Sequence, residues 1–370
     1  MFAADALRAP MFPSPIAWAR TLACAAAGAG LAGCAAMPQP ATIQPDLIAY
    51  NEAIAASARA QVLLNIVRLR YRDTIAFLQI TGVTTSYAAT RKGALGSAFG
   101  LDAGRFDESL RWTGEGERSV RPLVEYEPLQ GPGYASQLLS PIAPESLFLL
   151  SQSGWSAERL LLCCVARIGA LENARAAAGP TPDFVPDNAS FRAFAADLRT
   201  LQLAGGLIVE IEGDGAGRSA VLTVRGDSDA TTRVRRFLAM SDTQTRLVVT
   251  DRAAGAGAVS VRGRSLLGIL SALSQTVAVP SAHEGVLVTA APAVGDWNAV
   301  MGGLFAVRAT TEQPRDAAVA VRYRGHWFSI ADSDLQSKST LDLVMHLFAL
   351  QAARGEAGAI DPFVVLTPGG

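Results

Sequence analysis

The sequence predicts an α+β fold: an N-terminal mostly helical region with a long amphipathic helix, followed by an α+β region of mostly antiparallel strands with two or more helices. Three observations predict it. From Asp46 to Arg72 the apolar positions Leu47, Tyr50, Ile54, Ala58, Val62, Ile66 and Leu69 recur at three and four residues with no Gly or Pro inside, which is the period of a helix with one buried stripe. In the second half, short β-branched runs alternate in polarity and are joined by Gly-rich turns, the pattern of half-buried strands. Two helical patterns, Ser265 to Thr276 and Ser339 to Ala352, interrupt those strands, and such runs of mixed helices and mostly antiparallel strands argue α+β.

Taken in order, residues 35–45, with Pro38, Pro40 and Pro45 among small residues, read as a short extended tether. The long helix follows, with Asn65, Arg68 and Arg72 marking its other side. Phe77 to Tyr87 is β-branched and alternating, a strand. Ala88 to Arg121 is rich in Gly and charge and poor in apolar periodicity, so it reads as a loop or an irregular hairpin, with Leu123 to Tyr126 a returning strand. Tyr134 to Leu139 and Pro144 to Gln152 read as helices, the second with Pro in its first turn. Ser156 caps a third, running through Cys163 and Cys164 to about Ala178. Gly179-Pro180-Thr181-Pro182 through Pro186 is a cluster of breakers and marks a linker.

Beyond it Ser190 to Leu203 reads as helix, and Leu207 to Ile211 and Ala220 to Val224 as strands joined by the turn Gly213 to Gly217. Thr231 to Met240 reads as a short helix. Further strands are expected at Arg246 to Thr250, Ala258 to Arg262, Gly285 to Thr289, Leu304 to Ala309, Ala318 to Arg324, Trp327 to Ile330 and Phe363 to Leu366. The helix at Ser339 opens with Ser339-Thr340-Leu341-Asp342, which has the form of a capping box with Asp in place of Glu.

Candidate chemistry is sparse. Four cysteines make no disulfide framework, because Cys163 and Cys164 are neighbours in an apolar run and read as buried small residues. The chain has three histidines. His326 lies in Tyr323-Arg324-Gly325-His326-Trp327, a tight turn followed by Ser329, Asp332 and Asp334, which are base, nucleophile and acid types without a nucleophile elbow. Asp332-x-Asp334-x-Gln336 begins like a calcium loop and fails at Ser337 and Leu343, where that loop needs Gly and Glu. His283-Glu284 lacks a second H-x-x-x-H partner, and His346 reads as a helix residue near the core. Arg68, Arg70 and Arg72, at the end of the long helix, are candidates for docking a partner's carboxylates or lipid head groups, beside the plainer role of relieving the helix dipole. No catalytic, cofactor or metal residue is assigned and no cofactor is expected. A formal net charge of −1 gives no electrostatic ground for a nucleic-acid partner.

Near the N-terminus, Arg8 and Arg20 precede an apolar run of Ala, Gly and Leu that ends in Leu31-Ala32-Gly33-Cys34. This is the charge, apolar core and small-residue order of a secretory signal, and it is shorter than the roughly 20 residues a spanning helix needs. Gly28 to Gly33 also matches G-x-G-x-x-G, but no strand precedes it and no βαβ unit follows, so it is no dinucleotide site. The tetrad resembles the bacterial lipobox. That resemblance implies cleavage before Cys34, which removes 33 of the 370 residues, and diacylglycerol on its thiol. Ala35, in place of the Asp that often holds such proteins at the inner membrane, implies an outer-membrane anchor facing the periplasm. Either Met1 or Met11 as start leaves the lipobox intact.

The expected organisation is thus residues 1–33 as signal peptide, 34–45 as lipidated tether, 46–178 as the mostly helical region with a strand and a Gly-rich loop, and 187–370 as the α+β domain. The phrases Leu63 to Asp73, Gln137 to Ile142 with Ser153-Gly154-Trp155, and Tyr323 to Phe328 with Ser337-Lys338 resemble those of uncharacterised Gram-negative lipoproteins, which implies no activity. The functional expectation is a non-enzymatic, structural or assembly lipoprotein, held to the membrane through Cys34 and binding an envelope protein partner. Its alternatives are a ring-forming accessory of a secretion or export channel, since Gly263 to Leu273 resembles part of secretin N-domains, or a periplasmic hydrolase using His326.

Overall fold

The computed structural model describes residues 40–102, 105–174, 187–213, 219–241, 243–252, 255–285 and 296–355, with side chains except at 40–47, 80–124 and 352–355. The chain divides into two units, residues 1–57 and 58–370. What is described of the first is the opening of helix α1 (Pro40–Arg70), where Ile48 and Ile54 are exposed. The helix therefore starts inside the expected tether. Pro40 is tolerated as its first residue, because the N–H it lacks would have no intrahelical acceptor there.

The second unit is α+β. From Ala58 on, α1 buries Val62, Leu63, Ile66 and Val67, so only the last part of the predicted stripe reaches the core. Asn65, expected on the outer side, is fully buried as well.

The segment read as a loop or an irregular hairpin is a regular antiparallel ribbon. Strand β1 (Leu78–Asp102) pairs with β2 (Arg105–Pro128) from Leu78↔Pro128 to Asp102↔Arg105, with one irregularity between Ile80 and Gly82. At about 3.3 Å per residue, strands of this length extend about 80 Å. Glycine and charge mask strand propensity in composition, yet a ladder of main-chain hydrogen bonds needs no particular side chain.

Helices α2 (Gly131–Leu139), α3 (Pro144–Gln152) and α4 (Ala157–Cys164) follow. The side chain of Ser156 accepts from Arg159 N at the start of α4, as its sequence position implies. The helix expected to reach Ala178 instead stops at Cys164. The chain turns at once into β3 (Val165–Ile168) and β4 (Leu171–Glu172), because two long-range groups take the helix-end carbonyls. Asn173 Nδ2 donates to the oxygens of Leu161, Leu162 and Val165, and Arg264 Nη1 to those of Leu162 and Cys163. Cys163 and Cys164 are buried, and burial pushes the Cys164 thiol far above its usual range.

Helix α5 (Ala189–Leu203), strands β5 (Leu207–Glu212) and β6 (Ser219–Val224), helix α6 (Asp229–Phe237), and strands β7 (Arg246–Thr250) and β8 (Ala258–Gly263) complete a six-stranded sheet of order β4-β3-β8-β7-β6-β5. All neighbours are antiparallel except β7 and β8. The sheet joins strands from both sides of residues 179–186, which lie outside the described residues with the linker expected there. Helix α5 buries Phe191, Phe194, Leu198 and Leu201 in the core, and a small apolar cavity of about 30 Å³ remains among Leu147, Leu161, Leu198 and Val261.

Ser265 caps α7 (Leu266–Ser274), whose Leu266, Ile269, Leu270 and Leu273 are fully buried. A 3-10 turn (Ser281–His283) and the short α8 (Trp297–Val300) lead to a second sheet of order β10-β11-β9, built from β9 (Arg308–Thr310), β10 (Ala317–Tyr323) and β11 (His326–Ala331). The strand expected at Leu304 to Ala309 thus starts later, with Val307 forming only a parallel bridge to Val277. The strand expected at Phe363 to Leu366, and all but the first residue of that at Gly285 to Thr289, fall outside the described residues.

Helix α9 (Leu335–Gly355) begins a turn ahead of the predicted capping box. Asp334 is its cap: Oδ1 accepts from Ser337 N at 3.0 Å and Oδ2 from the Ser337 hydroxyl at 2.7 Å.

Candidate functional site

Two of the phrases singled out in the sequence meet in space at the root of the ribbon. The first is the end of α1. Arg72 N donates to Leu69 O and Asp73 N to Arg68 O, a Schellman closure with Arg72 at φ +61°, where glycine is usual. The second is the β10–β11 hairpin, whose two-residue turn Arg324-Gly325 has φ +45° and +84°. Arginine in place of the usual Asn or Gly is strained there, and what it reaches offsets the strain.

Arg324 Nη2 donates to Asp73 Oδ2 at 2.8 Å, and the Tyr323 hydroxyl donates to the same oxygen. The Arg324 guanidinium also lies 5.6 Å from the Tyr71 ring centre and 5.5 Å from that of Tyr323. These donors hold the Asp73 carboxyl below its usual range, first the Tyr323 hydroxyl and then Arg324. Behind them Tyr71 packs edge-on against His283, Tyr323 and Phe328, its hydroxyl 2.8 Å from His283 Nδ1. The rings of His283 and His326 stand 4.8 Å apart.

Burial, then the neighbouring His326 and Arg324, hold the His283 imidazole below its ordinary value. The sign follows. A histidine whose folded pKa lies under the unfolded value of about 6.5 binds fewer protons folded than unfolded, so the stability it carries is complete above pH 6.5 and is lost as pH falls through the folded pKa. Imidazole NMR is expected to show His283 titrating below the unfolded histidine value of about 6.5, and His283→Gln to flatten the loss of melting temperature between pH 6.5 and 5. A His283 midpoint at or above that value would contradict this.

A few residues along, the ribbon is gripped. Asn65 Nδ2 donates to Ala76 O at 2.7 Å, Ala76 N donates back to Asn65 Oδ1 at 3.0 Å, and Arg68 Nη1 reaches the same oxygen at 3.2 Å. Leu78 N donates to Gln61 Oε1 at 2.8 Å and Leu129 N to Phe77 O at 3.0 Å. The Phe77 ring lies 5.0 Å from that of Phe348 and 6.4 Å from that of Tyr134. Replacing Asn65 with Ala removes both bonds to Ala76 and is expected to cost about 2 kcal/mol, at about 1 kcal/mol for each bond. Hydrogen exchange at Ala76 to Leu78 should accelerate more than in the β5–β8 sheet; uniform acceleration would argue against a local clamp.

The three candidate docking arginines do not share one free face. Arg68 is tied to Asn65, Arg70 Nη1 donates to Gln275 Oε1 at 3.3 Å while burial lowers its pKa, and Arg72 is exposed. The hydrolase types near His326 are dispersed: Ser329 is buried on β11, Lys338 binds Asp332, and Asp334 caps α9. An odd spacing on one strand also places His326 and Ser329 on opposite faces. His346 is exposed, 5.6 Å from the Trp155 ring, rather than near the core. Among the described residues no three His, Cys, Asp or Glu side chains converge as a metal site requires. The meeting of Tyr71, Asp73, His283 and Tyr323 was invisible to sequence spacing, because Asp73 and Tyr323 are 250 residues apart.

An ion pair, two tyrosine hydroxyls and a buried asparagine tie down the chain just ahead of the ribbon. No family model matches the chain, and no curated protein or solved structure matches it either.

Proposed function

We propose that this protein is an outer-membrane-anchored periplasmic lipoprotein of non-enzymatic, structural or assembly role that binds an envelope protein partner. The ribbon carries the reading: strands of 25 and 24 residues that pair with each other and form a two-stranded sheet of their own. Such a ribbon leaves rows of unpaired N–H and C=O groups on both outer edges, which proteins otherwise shorten, charge or cover. Its rigid root supports the same reading, because a clamped base transmits orientation to whatever docks along the strands. The lipobox ending at Cys34 supports the attachment to the membrane. Among the described residues no helix is long and apolar enough to cross one.

The test is crosslinking of the lipidated chain in intact cells, read by mass spectrometry, beside Cys34→Ala and a variant with residues 86–121 replaced by Asn-Gly to close a short hairpin. One envelope complex should be recovered with the intact chain and lost from both controls. Recovery of the same proteins from all three, or of none from the intact chain, would sink the reading.

A further inference from the structure

Resting on that reading of the ribbon as a docking element, we propose that its partner is a second copy of this chain. Several copies join ribbon to ribbon, β2 of one beside β1 of the next, into a closed β-barrel whose outer face meets lipid. The juxtaposition behind it is a matter of register. From Gly82↔Glu125 to Asp102↔Arg105 the pairing is unbroken, so odd-numbered residues of β1 share a face with even-numbered residues of β2.

Toward the tip that face holds Leu95, Phe99, Leu101, Phe106, Leu110 and Trp112. The opposite face over the same span holds Asp102, Arg105, Asp107, Ser109, Arg111 and Thr113, and no large apolar residue. The apolar stretch, Gly93 to Leu101 and Phe106 to Gly114, is about nine residues on each strand, the length of a transmembrane strand. It ends toward the body at Arg91 and Arg118, and its one charge, Glu108, pairs with Phe99 in the third of the stretch nearer the tip, where a carboxylate on the lipid side costs less than at the midplane.

Lipid alone would satisfy the apolar face and leave both edges unpaired, which a hydrocarbon environment does not permit. Another copy supplies an edge of equal length with the same face polarity at every step. Head-to-tail pairing closes into a ring when the rotation between copies closes, and the strand tilt of a barrel supplies that rotation and leaves no edge. Pro122, with no N–H, and the irregularity at Ile80 and Gly82 stop such pairing near the root, so the barrel wall is the part beyond them.

The experiment uses the full lipidated chain in two arms. In intact cells a photo-crosslinking residue at Thr113 should join peptides from residues 78–102 of a second copy. In vesicles of phosphatidylethanolamine and phosphatidylglycerol loaded with a self-quenching dye, the protein should release dye. Leu110→Glu, on the apolar face, should reduce release to the protein-free level, while Ser109→Glu, its neighbour on the polar face, should leave it unchanged, the melting temperature of the body being the same in both. Crosslinks to a different envelope protein with no dye release would overturn the barrel and leave the partner reading standing. Absence of any protein crosslink from Thr113 would remove both. Equal release by the two variants would overturn the barrel by itself.

Discussion

Replacing Arg264 with Met is expected to destabilise the protein by about 3 kcal/mol or more, because buried carbonyls left without donors cost about 1–3 kcal/mol each. The guanidinium is almost fully buried with no carboxylate beside it among the described residues, and burial lowers its pKa. Its charge is met by the negative end of α4 instead: Nη1 donates to the oxygens of Leu162 and Cys163 at 2.9 Å each, and Nη2 to Asn173 O at 2.8 Å. Met matches the length and removes the Arg264 donor from each of these oxygens. Asn173 still reaches Leu162 O, so the loss falls mainly on Cys163 and Asn173. A urea midpoint lowered at unchanged slope is the expected result, with Lys in place of Arg recovering only part, since one ammonium cannot replace the planar fork. A midpoint within error of the parent would mean that α4 needs no cap from Arg264.

Gly263→Ala is expected to cost about 3 kcal/mol, the upper end for overpacking. A Cβ there would stand 2.1 Å from the carbonyl oxygen of Ile142, which is backbone and cannot swing aside. Ile142 N is itself bonded to Arg264 O at 3.0 Å, so relief of the clash opens the junction between the sheet and the segment that leads into α3. Thermal melting of Gly263→Ala beside Gly268→Ala separates the cause. Gly268 meets only the Ser265 hydroxyl and the Arg264 Cβ, at 3.4 and 3.6 Å, and should lose far less. Equal losses at the two sites would point to glycine's backbone freedom and away from the contact with Ile142.

Much of the fold was legible because its signals are local. Pro144 and Ser156 start helices α3 and α4 where the sequence places them, Ser265 caps α7, and the alternation of Leu207 to Ile211 and Ala220 to Val224 marks paired strands. The ribbon was half legible. Its root alternates in β-branched residues, and at its tip the spacing of Leu95, Phe99 and Leu101 against Phe106, Leu110 and Trp112 carries a period of two, but intervening glycines and charges dilute it. Asn65 was misplaced because a polar residue on an amphipathic helix is ordinarily solvated, and only its bonds to Ala76 explain its burial.

By itself the sequence determined the α+β class, the starts of α3, α4, α5 and α7 and most of the strands beyond residue 203, since caps and periodicities act within a few residues and water enforces them everywhere alike. It also carries Leu31-Ala32-Gly33-Cys34, and the proposed anchor rests on the resemblance of that tetrad to a lipobox. The tertiary structure alone decided where α4 stops, which polar groups are buried, and that Asp73, Tyr71 and His283 meet Tyr323, Arg324 and His326 at the base of the ribbon. The physical reason is that a buried donor or charge takes whatever acceptor the folded chain brings within about 3 Å, and that choice depends on packing and not on separation along the sequence.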